Sequence, residues 1–259
     1  MMNSASSALT RVAYPVAGTV LALALWQAVC VLASLPTAVL PTPWQVLQAA
    51  VQYWPALVQD GWVTFKATLY GFVLALLLGI PLAVTVSTFR WINLMFYPLL
   101  VALQSVPKVA LAPLILVWLG TGMESKLAIA WLVAFFPIVV DTAAGLQSTP
   151  KELLELARSL RASPWQLFAK VRFPAALPFV VTGAKVAVTL AVIGAVIGEF
   201  VGSSEGLGFL LLSATSQINT PLAFAALFAL SVLGMATYFM VVLSERAITS
   251  WLPPALPTH

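Results

Sequence analysis

The chain has 259 residues, of which 61% are hydrophobic and 8% are charged. A soluble domain carries roughly 25% charged residues, so this composition excludes a water-soluble globular protein and indicates a membrane protein. Most of the charges behind the net +4 flank apolar segments, which excludes the basic surface patch of a nucleic-acid-binding protein. His259 and Cys30 are the only residues of their types, which excludes histidine-based catalysis, histidine metal clusters and an intrachain disulfide.

Six apolar segments are long enough to cross a membrane, because a spanning helix needs roughly 20 mostly apolar residues. They lie at about 13–35, 63–88, 94–118, 125–145, 177–200 and 221–243. The first exceeds the ~7–15-residue core of a cleaved signal peptide, so we expect it to be retained. Asp141 interrupts the fourth span, and Lys108 is the only charge in the third. The pattern predicts an all-α, polytopic membrane helix bundle in which residues 1–259 form a single transmembrane domain.

Positive charges predict how the six spans are oriented, since cytoplasmic loops carry an excess of Lys and Arg. With the N-terminus inside, the outer segments hold only Lys66 and Lys126. The inner segments then hold Arg11, Arg90, Arg246 and the five basic residues of a loop at 149–178. Both termini and this loop are therefore expected in the cytoplasm.

The outer segment at 36–61 resembles a short helix that lies along the membrane surface. Thr42-Pro43 is typical of a helix start, and apolar residues follow at helical spacing: Trp44, Leu47, Val51 and Trp54. The tryptophans would anchor this helix at the interface. Two further outer segments are a tight turn at 119–124 and a glycine-rich stretch at 201–220 that ends in a short apolar run.

The loop at 149–178 contains two capping signals, which predict two short helices that begin at about 150 and 164. Thr149 and Glu152 form a capping-box pattern around Pro150, and Ser163 with Gln166 repeats it around Pro164. Pro174 and Pro178 are expected to interrupt the helical pattern before the fifth span. A basic amphipathic loop also binds anionic lipid on the inner membrane surface, and that interpretation stays open on the pattern alone. Glu152 and Glu155 argue against it.

Glu155-Leu156-Ala157 and Val171-Arg172-Phe173-Pro174 carry a resemblance to the EAA loop of ATP-binding-cassette (ABC) importer permeases. That signature runs Glu-Ala-Ala, three residues, Gly, nine residues and Ile-x-Leu-Pro, and the spacing matches without a gap. Further motifs resemble the nitrate/sulfonate/taurine branch, which includes permeases for pyrimidine-type vitamin precursors: Gln104 to Lys108, Phe135-Phe136-Pro137 and Gly198 to Gly202. The resemblance covers roughly residues 40–245.

The resemblance implies a binding-protein-dependent importer in the cytoplasmic (inner) membrane of a bacterium. A second permease copy, expected to be identical, would enclose the pathway, membrane lipid would surround the pair, and an extracytoplasmic binding protein would deliver a small solute. A cytoplasmic ABC ATPase dimer would bind ATP and Mg and dock on the loop, so this chain would be no enzyme and would hold no cofactor. Loop contacts are implied for Glu155 first, then Glu152, Ala157, Arg158, Arg161 and Pro174.

Arg161 is where the sequence departs from the family pattern, because it occupies the position of the signature's glycine. That glycine would lie in the turn between the two helices, where a left-handed backbone is often needed. Arginine in that conformation costs roughly 1 kcal/mol or more. Either the turn is built differently, or a contact between the arginine and the ATPase offsets this cost.

Ionisable and polar residues inside the spans are candidates for the translocation pathway, because such groups are expensive in a membrane. Lys108 and Lys185 are candidates to favour passing anions, although a snorkelling or ion-paired structural lysine is the simpler alternative. Further candidates are Gln104, Ser105, Phe135, Phe136 and Glu199, and the phenylalanines could equally be packing residues. Glu199 and Glu205 could instead contact the binding protein or be ordinary loop charges. Small residues of the fifth span at three-to-four spacing suit close helix packing, within the subunit or across a dimer axis.

Three other classes of protein compete with the importer. An ion-gradient-driven secondary transporter would show inverted repeats and broken helices near the midplane, and the sequence shows neither clearly. A membrane enzyme would need a catalytic constellation, which the absence of an internal histidine disfavours. A lipid-binding scaffold would not depend on an ATPase.

Overall fold

The computed structural model describes residues 3–249, and every element in that range is helical. His259 lies outside the described residues. The α-helices are α1 (Asn3–Leu32), α2 (Pro43–Gln52), α3 (Trp54–Thr88), α4 (Arg90–Gln104), α5 (Ala112–Leu119), α6 (Met123–Gln147), α7 (Lys151–Ser159), α8 (Pro164–Leu167), α9 (Phe173–Gly202), α10 (Leu207–Ser216) and α11 (Thr220–Thr249). A 3₁₀ turn at Lys108–Leu111 precedes α5, and a π turn at Phe168–Arg172 joins α8 to α9.

Five helices of the described part are long and apolar enough to span a membrane, and the bent pair α4–α5 makes a sixth if the pair is counted as one span. This confirms the predicted all-α membrane bundle. Four predicted spans agree closely with the long parts of α1, α6, α9 and α11. The second span is predicted to begin at residue 63, whereas α3 begins at Trp54. The helix therefore includes Asp60, which accepts a 2.8 Å hydrogen bond from the amide of Gly206.

The third span is not the continuous helix predicted at 94–118. Its two halves, Trp91–Gln104 and Lys108–Leu119, meet at an angle of 87°. The last turn of α4 tightens, since the amides of Ser105 and Val106 donate to carbonyls only three residues back, at 3.1 and 3.3 Å. Pro107 then has no amide to continue the helix and disfavours helical backbone at Val106. The proline therefore becomes the site of a break.

The prediction that Pro174 and Pro178 interrupt the helical pattern before the fifth span is wrong. Pro164–Gly202 forms one continuous helical segment of 39 residues. The amide of Phe173 donates to the carbonyl of Phe168 five residues back, and this wider π turn is followed at once by Pro174. The π turn takes up the amide that Pro174 lacks, and Pro178 lies inside α9, where it removes one hydrogen bond without ending the helix. The second loop helix and the fifth span are consequently parts of one continuous helical segment.

The centre of the bundle is α6, which packs between α3 and α9. Ala130 on α6 faces Gly71 on one side and Gly194 on the other. A Cβ atom added at Gly71 would lie 2.6 Å from the Cβ of Ala130, and one at Gly194 would lie 2.7 Å from its Cα. Side chains at these positions would push the helices apart. The small residues of α9 therefore serve close packing within the subunit.

The two N-terminal helices lie at the margin of this bundle. Within Ala13–Leu32, α1 has few buried residues, and Trp26 anchors its outer part against Phe224 and Phe228 of α11, with ring centroids 5.8 and 6.0 Å apart. The short outer helix α2 begins where predicted, and the Thr42–Gln45 capping box holds its first turn. Its exposed face carries Trp44 and Val51, as an interfacial helix requires.

Candidate functional site

The turn between α7 and α8 is a Schellman motif, in which paired backbone hydrogen bonds close the C-terminus of a helix. The amide of Ala162 donates to the carbonyl of Ala157 at 3.0 Å, and that of Arg161 donates to Arg158 at 2.9 Å. Arg161 itself has φ of 54° and so lies in the left-handed region. The turn thus has the geometry that the family's glycine would favour, and an arginine with a Cβ atom occupies it.

Only one of the two predicted capping boxes of this loop forms. Ser163 Oγ accepts from the amide of Gln166 at 3.2 Å, and Gln166 Oε1 accepts from the amide of Ser163 at 2.9 Å. Thr149 makes no such cap, because α7 begins one residue later than the pattern requires and Pro150 is its N-cap; the Thr149 hydroxyl instead donates to the carbonyl of Leu146 at 3.3 Å. The predicted box at Thr149 and Glu152 is therefore wrong, although the helix begins where expected.

Most of the residues predicted to contact an ATPase lie on the surface of the loop. Glu152, Glu155, Arg158 and Arg161 are exposed, and Pro174 is partly buried at the start of α9. Ala157 is different, since it is 9% exposed and packs against the rest of the chain. Its small side chain therefore offers little surface in the single chain, and its predicted contact with an ATPase stays a prediction.

An exposed apolar stripe runs along the same loop. Leu153, Leu156 and Leu160 of α7 are 47, 57 and 74% exposed, and Trp165 of α8 is 72% exposed. Their three- and four-residue spacing places the leucines on one face of α7. Large apolar side chains clustered on a water-facing loop mark an interaction surface. The stripe lies beside the exposed acidic and basic residues of α7.

The break in the third span brings together three of the predicted pathway residues. Gln104 and Ser105 are exposed, and Lys108 is partly buried. The ammonium of Lys108 donates to the carbonyl of Gln104 at 3.1 Å and lies 4.9 Å from the ring centroid of Phe136. It therefore binds a carbonyl at the negative C-terminal end of α4 and makes a cation–π contact. This leaves donor capacity on the ammonium, which has three N–H groups.

A row of aromatic rings continues from Lys108 along α6. The centroids of Phe136 and Phe135 are 5.5 Å apart in an edge-to-face arrangement, and those of Phe135 and Trp131 are 5.4 Å apart. Phe136 is nearly buried, whereas Phe135 and Trp131 are partly exposed. Trp131 Nε1 is a buried donor that has no hydrogen-bond partner among the described residues.

Lys185 lies apart from this group and is paired. Its ammonium is 2.6 Å from Glu245 Oε2, so the ion pair joins α9 to the C-terminal part of α11. Both side chains are about three-quarters buried. The simpler alternative for this residue, an ion-paired structural lysine, is the one that the geometry shows.

Glu199 belongs to an outer polar cluster that holds the start of α10. It is 1% exposed, and its carboxylate accepts from Thr64 Oγ1 at 2.8 Å and from the amide of Gly208 at 2.7 Å. Thr64 Oγ1 also accepts from the amide of Leu207 at 2.9 Å. Glu199 is thus buried in the single chain, where its oxygens complete the hydrogen bonds of a helix N-terminus.

The same cluster includes an ion pair that the sequence pattern did not reveal. Lys126, which is 1% exposed, donates to both the carbonyl and the side chain of Glu205 at 3.2 Å. Glu205 remains about half exposed. Within residues 3–249, no three His, Cys, Asp or Glu residues lie close enough to hold a metal ion. The cluster is thus a hydrogen-bonded joint between the outer ends of α3, α6, α9 and α10.

Comparison with known proteins shows that residues 75–250 match the family described as binding-protein-dependent transport system inner membrane component. Among curated proteins, the chain is 40% identical to a probable ABC transporter permease protein of Haemophilus influenzae, over 85% of this chain and 89% of that protein. It is 38% identical to the riboflavin transport system permease protein RibX of Chloroflexus aurantiacus, over 89 and 87% of the two chains.

Two further proteins are similar to this chain. The formylaminopyrimidine transport permease protein ThiX of Halalkalibacterium halodurans is 37% identical, over 82% of this chain and 85% of that protein. Among solved structures, an inward-facing form of the MetNI methionine ABC transporter matches with a TM-score of 0.66 and 24% identity, over 75% of this chain and 96% of that one. The structural match supports the fold.

Proposed function

Since the chain belongs to the family of binding-protein-dependent transport system inner membrane components, and is a multi-pass permease subunit of an ABC importer, we propose how it moves its solute. The broken third span lines the translocation pathway, and a cytoplasmic ATPase docks on the α7–α8 loop. The cargo is a small planar heteroaromatic solute, which an extracytoplasmic binding protein delivers.

The observation that carries this proposal is the break at Ser105–Pro107. Non-helical backbone at membrane depth is tolerated only where protein buries it or where it lines a water-filled cavity. Gln104 and the three residues after it are exposed in the single chain. The segment therefore requires either water or a second subunit on its open side. A pathway enclosed by two copies of this chain would supply both.

The docking proposal rests on the shape and chemistry of the α7–α8 loop. The Schellman turn and the Ser163 capping box pre-shape it, and the stripe of Leu153, Leu156, Leu160 and Trp165 offers apolar contact. Glu155 and Glu152 would add charge-assisted hydrogen bonds to arginines or backbone amides of the ATPase. ATP and Mg would be bound by that partner. In the predicted orientation the loop and both termini face the bacterial cytoplasm, and the chain lies in the inner membrane.

The aromatic row beside the break favours a planar cargo. Trp131 and Phe135 offer partly exposed ring faces, on which a flat heterocycle can stack. The Lys108 ammonium at the end of the row would donate to a ring carbonyl or to an anionic group. Two of the similar permeases are named for transport of riboflavin and of a formylaminopyrimidine, and both names denote nitrogen heterocycles. Sulfonates and other small anions are the competing cargo class, for which Lys108 alone would matter.

Cysteine accessibility tests the proposed pathway. In a Cys30→Ser background, Ser105→Cys is compared with Leu77→Cys, which replaces a 64% exposed residue within the apolar span α3. A membrane-impermeant thiol reagent applied to the reconstituted importer should modify position 105 and leave position 77 unmodified. Equal protection of both positions, in protein that still couples to its ATPase, would contradict a water-filled pathway at the break.

The cargo class needs a separate measurement, because a correct pathway could carry another solute. Uptake by the reconstituted importer should be inhibited by planar heterocycles more than by aliphatic sulfonates. Trp131→Ala should weaken heterocycle uptake, whereas Lys108→Met should reduce it less. Loss of uptake in Lys108→Met with Trp131→Ala unaffected would instead support a small anion.

A further inference from the structure

An apolar groove lies between α2, α3 and α11, with a volume of about 530 Å³. Its walls are formed by Trp62 and Phe65 of α3 on one side and by Phe228 and Leu233 of α11 on the other. Gly61 lies in the wall of the groove, and a Cβ atom added there would meet only Leu207, at 3.7 Å. The absence of a side chain at Gly61 thus keeps the groove open.

Water is a poor occupant for this groove. Every side chain that lines it is aliphatic or aromatic, and a buried water needs two to four polar partners. An unfilled space of this size would also leave the lining atoms without van der Waals partners. The groove therefore calls for an apolar occupant.

The groove opens onto the exposed surface of two helices that are long and apolar enough to span a membrane. Val58 of α3 and Val232 of α11 line it and are 52 and 61% exposed, on helices that both span the membrane. Trp54, at the end of α3 next to the interfacial helix α2, also lines it and is 64% exposed. Tryptophan is enriched where hydrocarbon meets the headgroups. The groove is consequently continuous with the interface that the spans make with hydrocarbon, in the outer leaflet.

A helix from a second copy fits this groove poorly. Access along α11 is restricted, because Trp26 of the chain's own α1 stacks on Phe228 at 6.0 Å. A thin, flexible occupant passes this obstruction more easily than a helix, which with its side chains is roughly 10–12 Å wide.

We propose that this groove binds one acyl chain of an outer-leaflet phospholipid. The chain would lie against Gly61 between Phe65 and Phe228, and its headgroup would lie near Trp54. Leu207 is part of the groove lining and is also the first residue of α10, whose amide bonds to Thr64. The lipid would therefore support the joint formed by Thr64, Glu199 and Gly208. This inference concerns the outer membrane face and is independent of the proposed cargo.

Native mass spectrometry of the purified permease, with palmitoyl-oleoyl-phosphatidylglycerol as the added probe, tests the proposal. Two variants fill the groove from opposite walls: Gly61→Leu from α3 and Ala229→Leu from α11. Gly234→Leu is the matched control, because a Cβ atom added at Gly234 meets nothing within 4 Å and the residue does not line the groove. In the native chain and the control, one phospholipid per chain should stay bound at collision energies that remove all other lipids. Both filled variants should lose this phospholipid.

Two results would overturn this assignment. Retention of the tightly bound phospholipid in both filled variants, with unfolding temperatures like that of the control, would place the lipid elsewhere. Loss of the permease dimer in the filled variants without loss of lipid would identify a second copy as the occupant. Because neither readout uses transport or the ATPase, failure here is distinct from failure of the proposed function.

Discussion

Glu199 joins the outer end of α9 to the start of α10, because its carboxylate accepts a 2.7 Å hydrogen bond from the backbone amide of Gly208. The other carboxylate oxygen accepts from Thr64, whose hydroxyl oxygen in turn accepts from the amide of Leu207. Two amides at a helix N-terminus are thereby satisfied by buried side chains that come from two other helices. This arrangement makes the joint sensitive to the loss of one hydroxyl group.

Thr64→Val should destabilise the permease, since it keeps the shape of the side chain and removes that hydroxyl. Each buried polar group left without a partner costs about 1–3 kcal/mol, and the change orphans the Leu207 amide and one Glu199 oxygen. Thr68→Val on the next turn of α3 is the control, because Thr68 is equally buried and its hydroxyl has no partner among the described residues. Thermal unfolding in detergent should show a lower midpoint for Thr64→Val alone. Equal midpoints would mean that the joint contributes little to stability.

Arg161→Gly should stabilise the permease by about 1 kcal/mol, because glycine adopts the left-handed conformation of the Schellman turn without steric cost. Ser159→Gly, two residues earlier within α7, should destabilise it, since that position is helical. The unfolding midpoint of the permease measures both effects. ATPase stimulation in the assembled importer distinguishes backbone strain at Arg161 from a contact between Arg161 and the ATPase. Unchanged stimulation in Arg161→Gly would support strain alone. Lost stimulation would show that the arginine contacts the ATPase.

Glu155→Lys should abolish co-purification of the permease with its ATPase, because it reverses the charge of an exposed acidic group on the proposed docking surface. Glu124→Lys is the matched control, since Glu124 is an exposed acid at the first turn of α6, on the predicted outer side. A pull-down of each variant with the ATPase gives the comparison. If the Glu155 variant still binds and transports normally, the proposed role of this residue is wrong.

Lys185 and Glu245 should show an energetic coupling of about 1 kcal/mol in a double-mutant cycle, because their ion pair is only partly exposed. The cycle compares the unfolding free energies of Lys185→Met, Glu245→Gln and the double variant. Uptake should be retained in the double variant, as expected for a structural pair. Loss of uptake with full stability would instead return Lys185 to the pathway.

The features that could be predicted best from the sequence are those that depend only on residues close together in the chain. The Ser163–Gln166 box spans three residues, and both of its hydrogen bonds form. The left-handed backbone at Arg161 follows from one position in a local motif and is also present. Thr149 shows the limit of this reasoning, because its hydroxyl bonds back to Leu146 at the end of the preceding helix. A capping pattern does not fix which residue becomes the N-cap, and here that residue is Pro150.

Contacts between distant parts of the chain could not be predicted from the pattern. Thr64 and Glu199 are 135 residues apart, and Lys126 and Glu205 are 79 apart, so no local spacing signals either pair. The third span shows an intermediate case. Pro107 marks a weak point in a helix, but whether the helix bends or breaks there depends on how the neighbouring helices pack.

The continuity of Pro164–Gly202 has a mechanical consequence. At about 1.5 Å per residue, this segment is a lever arm of roughly 58 Å that reaches from the cytoplasmic loop to the outer joint. A tilt of about 5° pivoted at the loop would displace the far end by roughly 5 Å, about the pitch of one helical turn. Moved as a rigid body, the segment would carry a small rotation at Trp165 to Glu199 as a displacement larger than a hydrogen bond can tolerate.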